Sequence, residues 1–224
     1  MRQASGPLAG VITSQVIPPI DKLPIWIRQI SPMIWRRLLV RSESSLAQLH
    51  DIIPIAFGWS DSPLHRFRSH GRDYGVSRPG GSGFAQDAHQ VRLADFQFRR
   101  NERFLDEYDF GDSWQHEVRV EAGLPEEPKR GYPLGVGGKR QAPPEDGGGP
   151  RAFLQRRDAV LLDMVEHLGR LVESVEAGDR DAIRDQLEDI ESLREWLDLD
   201  RFDRRHVNRR LRQYPAGDEG WRWT

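Results

Sequence analysis

Apolar residues recur along this chain with two different periods, and the change between them divides it into an extended first half and a helical last third. Residues 26–30 and 34–40 are short runs of strand formers separated by Ser31 and Pro32, which predicts consecutive or paired strands. Leu46, Leu49, Ile53 and Phe57 then repeat at three- and four-residue steps. Ser45 with Gln48 forms a capping-box signature before them, Gly58 supplies a stop, and Pro54 is expected to kink or end this helix early. Residues 64–69 read as a further strand closed by a turn over 70–73, residues 75–90 as a flexible loop, and residues 103–121 as a β-hairpin. Residues 122–149 read as a long Pro/Gly loop.

Helical periodicity returns with Leu161, Val165, Leu168, Val172 and Val175, and continues after Gly178 and Asp179 with Ile183, Leu187, Ile190 and Leu197, an antiparallel helical hairpin. Asp203 is placed to cap a final helix with Val207, Leu211 and Tyr214 inward and Arg205, Arg209 and Arg212 outward. The expected fold class is α+β: a mixed or antiparallel sheet, one packed helix in the N-terminal half and a C-terminal helical subdomain. The expected divisions are a flexible tail over 1–20, a core over 21–155, the helical hairpin and C-terminal helix over 156–214, and a tail over 215–224.

Composition narrows the function classes. Lys+Arg 33 nearly cancels Asp+Glu 35, so no global field draws the chain of 224 residues to nucleic acid or to a membrane surface. Cys 0 removes disulfides, thiolate nucleophiles and cysteine metal sites, and no apolar run is long enough for a membrane span. The first residues lack the pattern of a secretory leader, and the expectation is a soluble, cytoplasmic protein with no membrane partner.

The densest chemistry lies in DEYDFGDSWQHEV, residues 106–118. Phe104, Tyr108 and Phe110 share one face of the first strand, and Trp114, His116, Val118 and Val120 share one face of the second. A two-residue turn would put these sets on opposite faces. A three-residue turn over 111–113 would pair Phe110 with Trp114 and Tyr108 with His116, burying all the rings together, so an odd-length turn is expected. Trp35, Trp59, Tyr108 and Trp114 are assigned structural roles. His116 has two readings: a base or metal ligand near Asp109, Asp112 and Glu145, or a buried histidine bonded to tyrosine or backbone.

IWRRLLV (34–40), LAQLHDII (46–53), FGWSDSPLHRF (57–67), EYDFGDSWQHEV (107–118) and PPED (143–146) occur in this order. Together they resemble the plasmid Ri Orf-three-like family, over about residues 23–153 and again in FDRRHVNRRL (202–211). The resemblance implies a compact α+β fold without an assigned activity. Insertion-element passenger proteins in this family carry a resolvase-like label, for which this chain has no serine-recombinase signature. Cysteines usual in the family loop are replaced by Gly135, Ala142 and Gly147, so any thiol chemistry of relatives is lost here.

Other signals are weaker. DFG lacks the remaining kinase segments, and GVGGKR has Pro133 and Gln141 where a phosphate loop needs glycine and Ser or Thr. His50, His65, His70 and His89 lack metal-ligand spacing and read as structural or solvated. Arg201, Arg204, Arg205, Arg209, Arg210 and Arg212 form a local basic cluster. The expected function is a non-catalytic binding or accessory protein of plasmid or mobile-element origin, with the hairpin and PPED loop receiving a protein partner or small ligand and no cofactor. The alternatives are a metal-assisted hydrolase or nuclease using Asp109, Asp112, His116, Glu145 and Asp146, and a nucleic-acid binder using Arg205, Arg209 and Arg212.

Overall fold

Alternation of Leu23, Ile25 and Ile27 with Lys22, Pro24 and Trp26 gives strand β1 (Ile20–Ile27) one wholly buried face. In the computed structural model, which describes residues 19–59, 65–76, 84 and 86–214, β1 pairs antiparallel with β2 (Trp35–Arg41), Trp26 opposite Trp35. Helix α1 (Leu46–Phe57) follows, opened by the Ser45–Gln48 capping box and closed by Gly58 in the left-handed region at φ 92°. Pro54 does not end it early: it stands in the last turn, where its missing N–H leaves only one intrahelical carbonyl without its donor.

Two short strands, β3 (His65–Ser69) and β4 (Arg72–Gly75), form a hairpin, and β5 (Gln86–Asp87) joins β4 in parallel. Strands β6 (Arg103–Tyr108) and β7 (Trp114–Arg119) make the central hairpin, β8 (Ala122–Leu124) adds to β1, and β9 (Leu134–Lys139) closes the far edge beside β2. The sheet order is β5-β4-β3-β6-β7-β1-β2-β9, with every pairing except β4–β5 antiparallel. The architecture is α+β, as expected.

The expected loop over 122–149 thus contains two strands. Glycine demotes β9 in the sequence, yet here its glycines make room for neighbours: a Cβ at Gly138 would stand 2.5 Å from the Phe202 ring, and Gly135 exchanges hydrogen bonds with the Asn208 side chain (2.7 and 2.9 Å). The segment resembling a phosphate loop is this strand.

The central turn is also longer than three residues. Tyr108 pairs with Trp114, leaving Asp109 to Ser113 as a five-residue loop. Asp109 and Ser113 take left-handed φ of 54° and 53°, and the Asp109 side chain accepts from the Gly111 N–H at 2.8 Å. The parity argument survives because five is odd: Phe104, Tyr108, Trp114, His116 and Val118 are all buried together. Phe110 does not join them; it sits on the turn, 41 % exposed, below the Arg66 guanidinium.

Helices α2 (Gly149–Ala177) and α3 (Arg180–Leu197) form the expected antiparallel arm, with Gly178 at the turn and Asp179 capping α3. Only Gly149, Pro150, Phe153 and Val160 of α2 are buried. The apolar stripe Leu161, Val165, Leu168, Val172 and Val175 points outward. Helix α4 (Arg204–Gln213), capped by Asp203, packs back on β9 and α1 and places Val207 and Leu211 in the same core cluster as the sheet. The sheet face opposite α1 carries ion pairs, among them Arg37–Glu121 at 2.8 Å and Arg103–Glu117 at 2.6 Å.

Candidate functional site

The two motif segments meet. The PPED loop is held by the polar tips of three buried rings from two different parts of the sheet and from the end of α1. Trp59 Nε1 donates to the Pro143 carbonyl at 2.8 Å, Trp114 Nε1 donates to the Glu145 carbonyl at 3.0 Å, and the Tyr108 hydroxyl donates to Glu145 Oε1. Each ring buries its body against the others, with Trp59 5.0 Å from Tyr108 and 5.5 Å from Trp114 between centroids. Asp112, on the central turn, accepts from the Gly148 N–H at 2.8 Å just ahead of α2, where a carboxylate also opposes the positive end of that helix.

Directly beneath this aromatic layer lies a buried charge network. Asp106 is wholly buried and accepts from two histidines: His50 Nδ1 on Oδ1 at 3.1 Å and His116 Nδ1 on Oδ2 at 3.0 Å. Burial pushes this carboxyl up, but the electrostatic pull of His50 and the hydrogen bonds from His116 and His50 outweigh it and hold it well below the usual carboxylate range. An ionised carboxylate only accepts, so both Nδ1 atoms carry their hydrogens. The Nε2 atoms of His50 and His116 are buried without a hydrogen-bond partner among the described residues. His65 stacks on His50 with centroids 3.4 Å apart, and Phe57 and Trp59 cover His116 at 4.9 and 5.4 Å.

On the other side of Trp59 the protein opens into a cleft of about 440 Å³. Its walls are Phe57, Trp59, Pro143, Pro144, Trp196 and Phe202, and its lining also includes Arg36, Glu145, Arg201, Asp203 and His206. Arg36 is the unusual member. Only 3 % exposed, it donates Nε to the Ala56 carbonyl at 2.8 Å and one terminal nitrogen to the carbonyls of Trp35 and Lys139 at 2.8 and 3.2 Å. Its guanidinium lies 4.8 Å from the Phe57 ring centroid and 4.5 Å from that of Phe202. No carboxylate forms an ion pair with it among the described residues. Burial accordingly pulls its pKa down to about 9. Because arginine keeps its proton in proteins, that shift expresses a desolvation cost that no ion pair among the described residues offsets.

The family described as plasmid pRiA4b ORF-3-like protein matches residues 20–211, a span that takes in the sheet, the clamp, the cleft and α4. The chain belongs to this family. The uncharacterized protein y4hQ of Sinorhizobium fredii is 29 % identical over 171 residues, covering 75 % of this chain and 86 % of that protein. The crystal structure of a protein of unknown function, MM3350, from Methanosarcina mazei Go1 superposes with a TM-score of 0.62 at 28 % identity, covering 85 % of this chain and 97 % of that one.

Against this ORF-3-like fold, the site residues read from the sequence fall into separate places. His116 is bonded to Asp106, not to Asp109 or Asp112. Asp109 is spent on its own turn, Asp112 on the Gly148 N–H, Glu145 on Tyr108, and Asp146 is exposed on the loop. Among the described residues no group of three or more His, Asp or Glu side chains is arranged to hold a metal ion. Arg205, Arg209 and Arg212 do face outward on α4, but Arg210 is no part of that surface: it is buried and donates to the Trp59 carbonyl at 2.8 Å. Trp59, Tyr108 and Trp114 are buried, whereas Trp35 is half-buried beneath Arg37. Asp106 and Arg36 were missed, and His50, read as structural or solvated, is a buried partner of Asp106. Parity with Phe104 and Tyr108 places Asp106 on the buried face, and the spacing of His50 from Leu46 and Ile53 places it on the core side of α1, so those two carried a signal. Arg36 shares the parity of Ile34, Leu38 and Val40, the buried face of β2, and only its charge argued against burial there.

Proposed function

We propose that this chain is a non-catalytic, cytoplasmic binding protein with an accessory role in a plasmid or mobile element, and that its cleft takes a small organic anion with an apolar or aromatic body. The observation that carries this reading is Arg36: a buried guanidinium lining an aromatic-walled cleft with no ion-paired carboxylate among the described residues. A bound carboxylate or phosphate offsets the desolvation of that cation, and the rings around it supply stacking area. The acids at the rim do not fill this role, since Asp203 caps α4 through the N–H groups of Arg205 and His206, and Glu145 accepts from Tyr108. Clamping of the PPED loop by Trp59, Tyr108 and Trp114 explains why the two motifs occur together: they fix one wall of the cleft.

The test is a titration with benzoate and with inorganic phosphate, followed by the intrinsic fluorescence of Trp59 and Trp196. Saturable binding of benzoate that weakens at least tenfold in Arg36→Met, which keeps the stacked volume and removes the charge, is the expected result. Equal binding to wild type and variant, or no binding of either anion, counts against it.

A further inference from the structure

We propose that the outward stripe of α2 is the contact surface for a second copy of this chain, with the two α2 helices lying antiparallel about a two-fold axis near Leu168. Leu161, Val165, Leu168, Val172 and Val175 follow one another at steps of four, three, four and three, which is the spacing of a coiled-coil seam. They are 66 %, 67 %, 47 %, 57 % and 58 % exposed, and adjacent Leu162 is 69 % exposed. Helix α3 does not cover them, because α2 meets α3 through its other side, where Phe153 stacks on Trp196 and His167 Nδ1 lies 2.8 Å from Gln186 Oε1. A solvated surface helix has one apolar stripe; α2 has two.

Area supports pairing with an identical face. A fully exposed Val or Leu side chain presents on the order of 100 Å², so the six residues leave roughly 350 Å² per copy uncovered. Two such faces make about 700 Å² of apolar contact, which at the apolar fraction of homodimer interfaces corresponds to roughly 1,100 Å² in total, above the ~1,000 Å² that a specific interface needs. Charge supports it as well. Charge is confined to the ends of the seam: the central flanking positions, Leu162, Met164, Gly169 and Leu171, carry none, while Asp158 and Glu176 stand beyond Leu161 and beside Val175. A Cβ at Gly169 would touch nothing within 4 Å, so packing inside the chain does not require glycine there, while its absence lets a second helix approach closely.

The antiparallel sense follows from Leu154, which continues the stripe toward the base of α2 and packs against the core. The folded core therefore stands at one end of the seam. A parallel pair would bring two cores to the same end, whereas a two-fold axis beside Leu168 sets them at opposite ends and seats Leu161 of one copy against Val172 of the other.

Light scattering of the full chain at about 100 µM, well above the micromolar Kd expected for an interface near the lower size limit, should give twice the monomer mass of 25.8 kDa. Leu168→Glu sets two carboxylates close together beside the axis and should return the mass to the monomer value, with an unchanged circular dichroism spectrum because the residue is half exposed. Since the chain has Cys 0, oxidation of Leu168→Cys should yield a covalent dimer and oxidation of Val175→Cys should not. A monomeric wild type at that concentration, a dimer that survives Leu168→Glu, or a cross-link at residue 175 but not at 168 overturns the proposal. So does an α2 stripe that binds only an unrelated amphipathic helix.

Discussion

Asp106 is the residue on which the interior of this protein is most sensitive to chemistry. A single carboxylate satisfies two histidine donors at once, with all three side chains buried. Asp106→Asn keeps the shape but offers one oxygen and an N–H₂ group to two N–H donors, leaving at least one ring opposed. The expected cost is about 2–4 kcal/mol, within the range for breaking a buried charged pair. The pH dependence has a definite sign. A folded-state carboxyl held below its unfolded value near 3.9 contributes stability that is present above about pH 4 and is lost as pH falls toward the folded value. Urea midpoints measured from pH 7 down to about pH 3 should therefore converge between wild type and Asp106→Asn, with the variant losing less on acidification. Parallel curves would show that Asp106 does not carry the acid sensitivity.

At the level of elements, the clamp between the central hairpin and the PPED loop ties residues far apart in the chain. Trp114 is fully buried and its indole N–H holds the Glu145 carbonyl, so Trp114→Ala removes both packing and a donor and should cost roughly 3–5 kcal/mol by chemical denaturation. Gly149→Ala probes the same junction from the other side. Gly149 sits at φ 80°, and a Cβ there would overlap the Asp112 carbonyl oxygen, so the substitution should cost about 1–3 kcal/mol, whereas Gly178→Ala, with φ 71° and open space, should cost less. These elements also show what the sequence made legible. Period-two alternation located the hairpin and its shared aromatic face, and caps located α1, the arm and α4. Turn length was invisible because two left-handed residues, Asp109 and Ser113, enlarge the loop without changing parity. Strand β9 was invisible because Gly135, Gly137 and Gly138 serve close approach by α4, Trp35 and Phe202, which are contacts distant in sequence. The orientation of α2 was invisible for a different reason: two apolar stripes on one helix leave periodicity unable to tell which one meets α3.

Across the whole molecule, stability and association reside in different parts. The core cluster runs from β1 to α4 and includes Phe153 at the base of α2, but beyond Val160 no residue of α2 is buried. The cleft takes Trp196 from the end of α3 and Leu199 from the turn after it, and nothing from the distal arm. Removing residues 161–189 and joining the helix stumps by a short turn should accordingly change the stability of the core by less than about 1 kcal/mol, because no buried side chain is lost from it. The denaturant m-value should fall as less surface is exposed on unfolding. Benzoate titration of the shortened chain should match wild type, while its mass in light scattering should be that of a monomer. Loss of anion binding together with the arm would place the cleft under control of the second copy, and a large loss of stability would mean that the distal helices support the core through contacts other than burial.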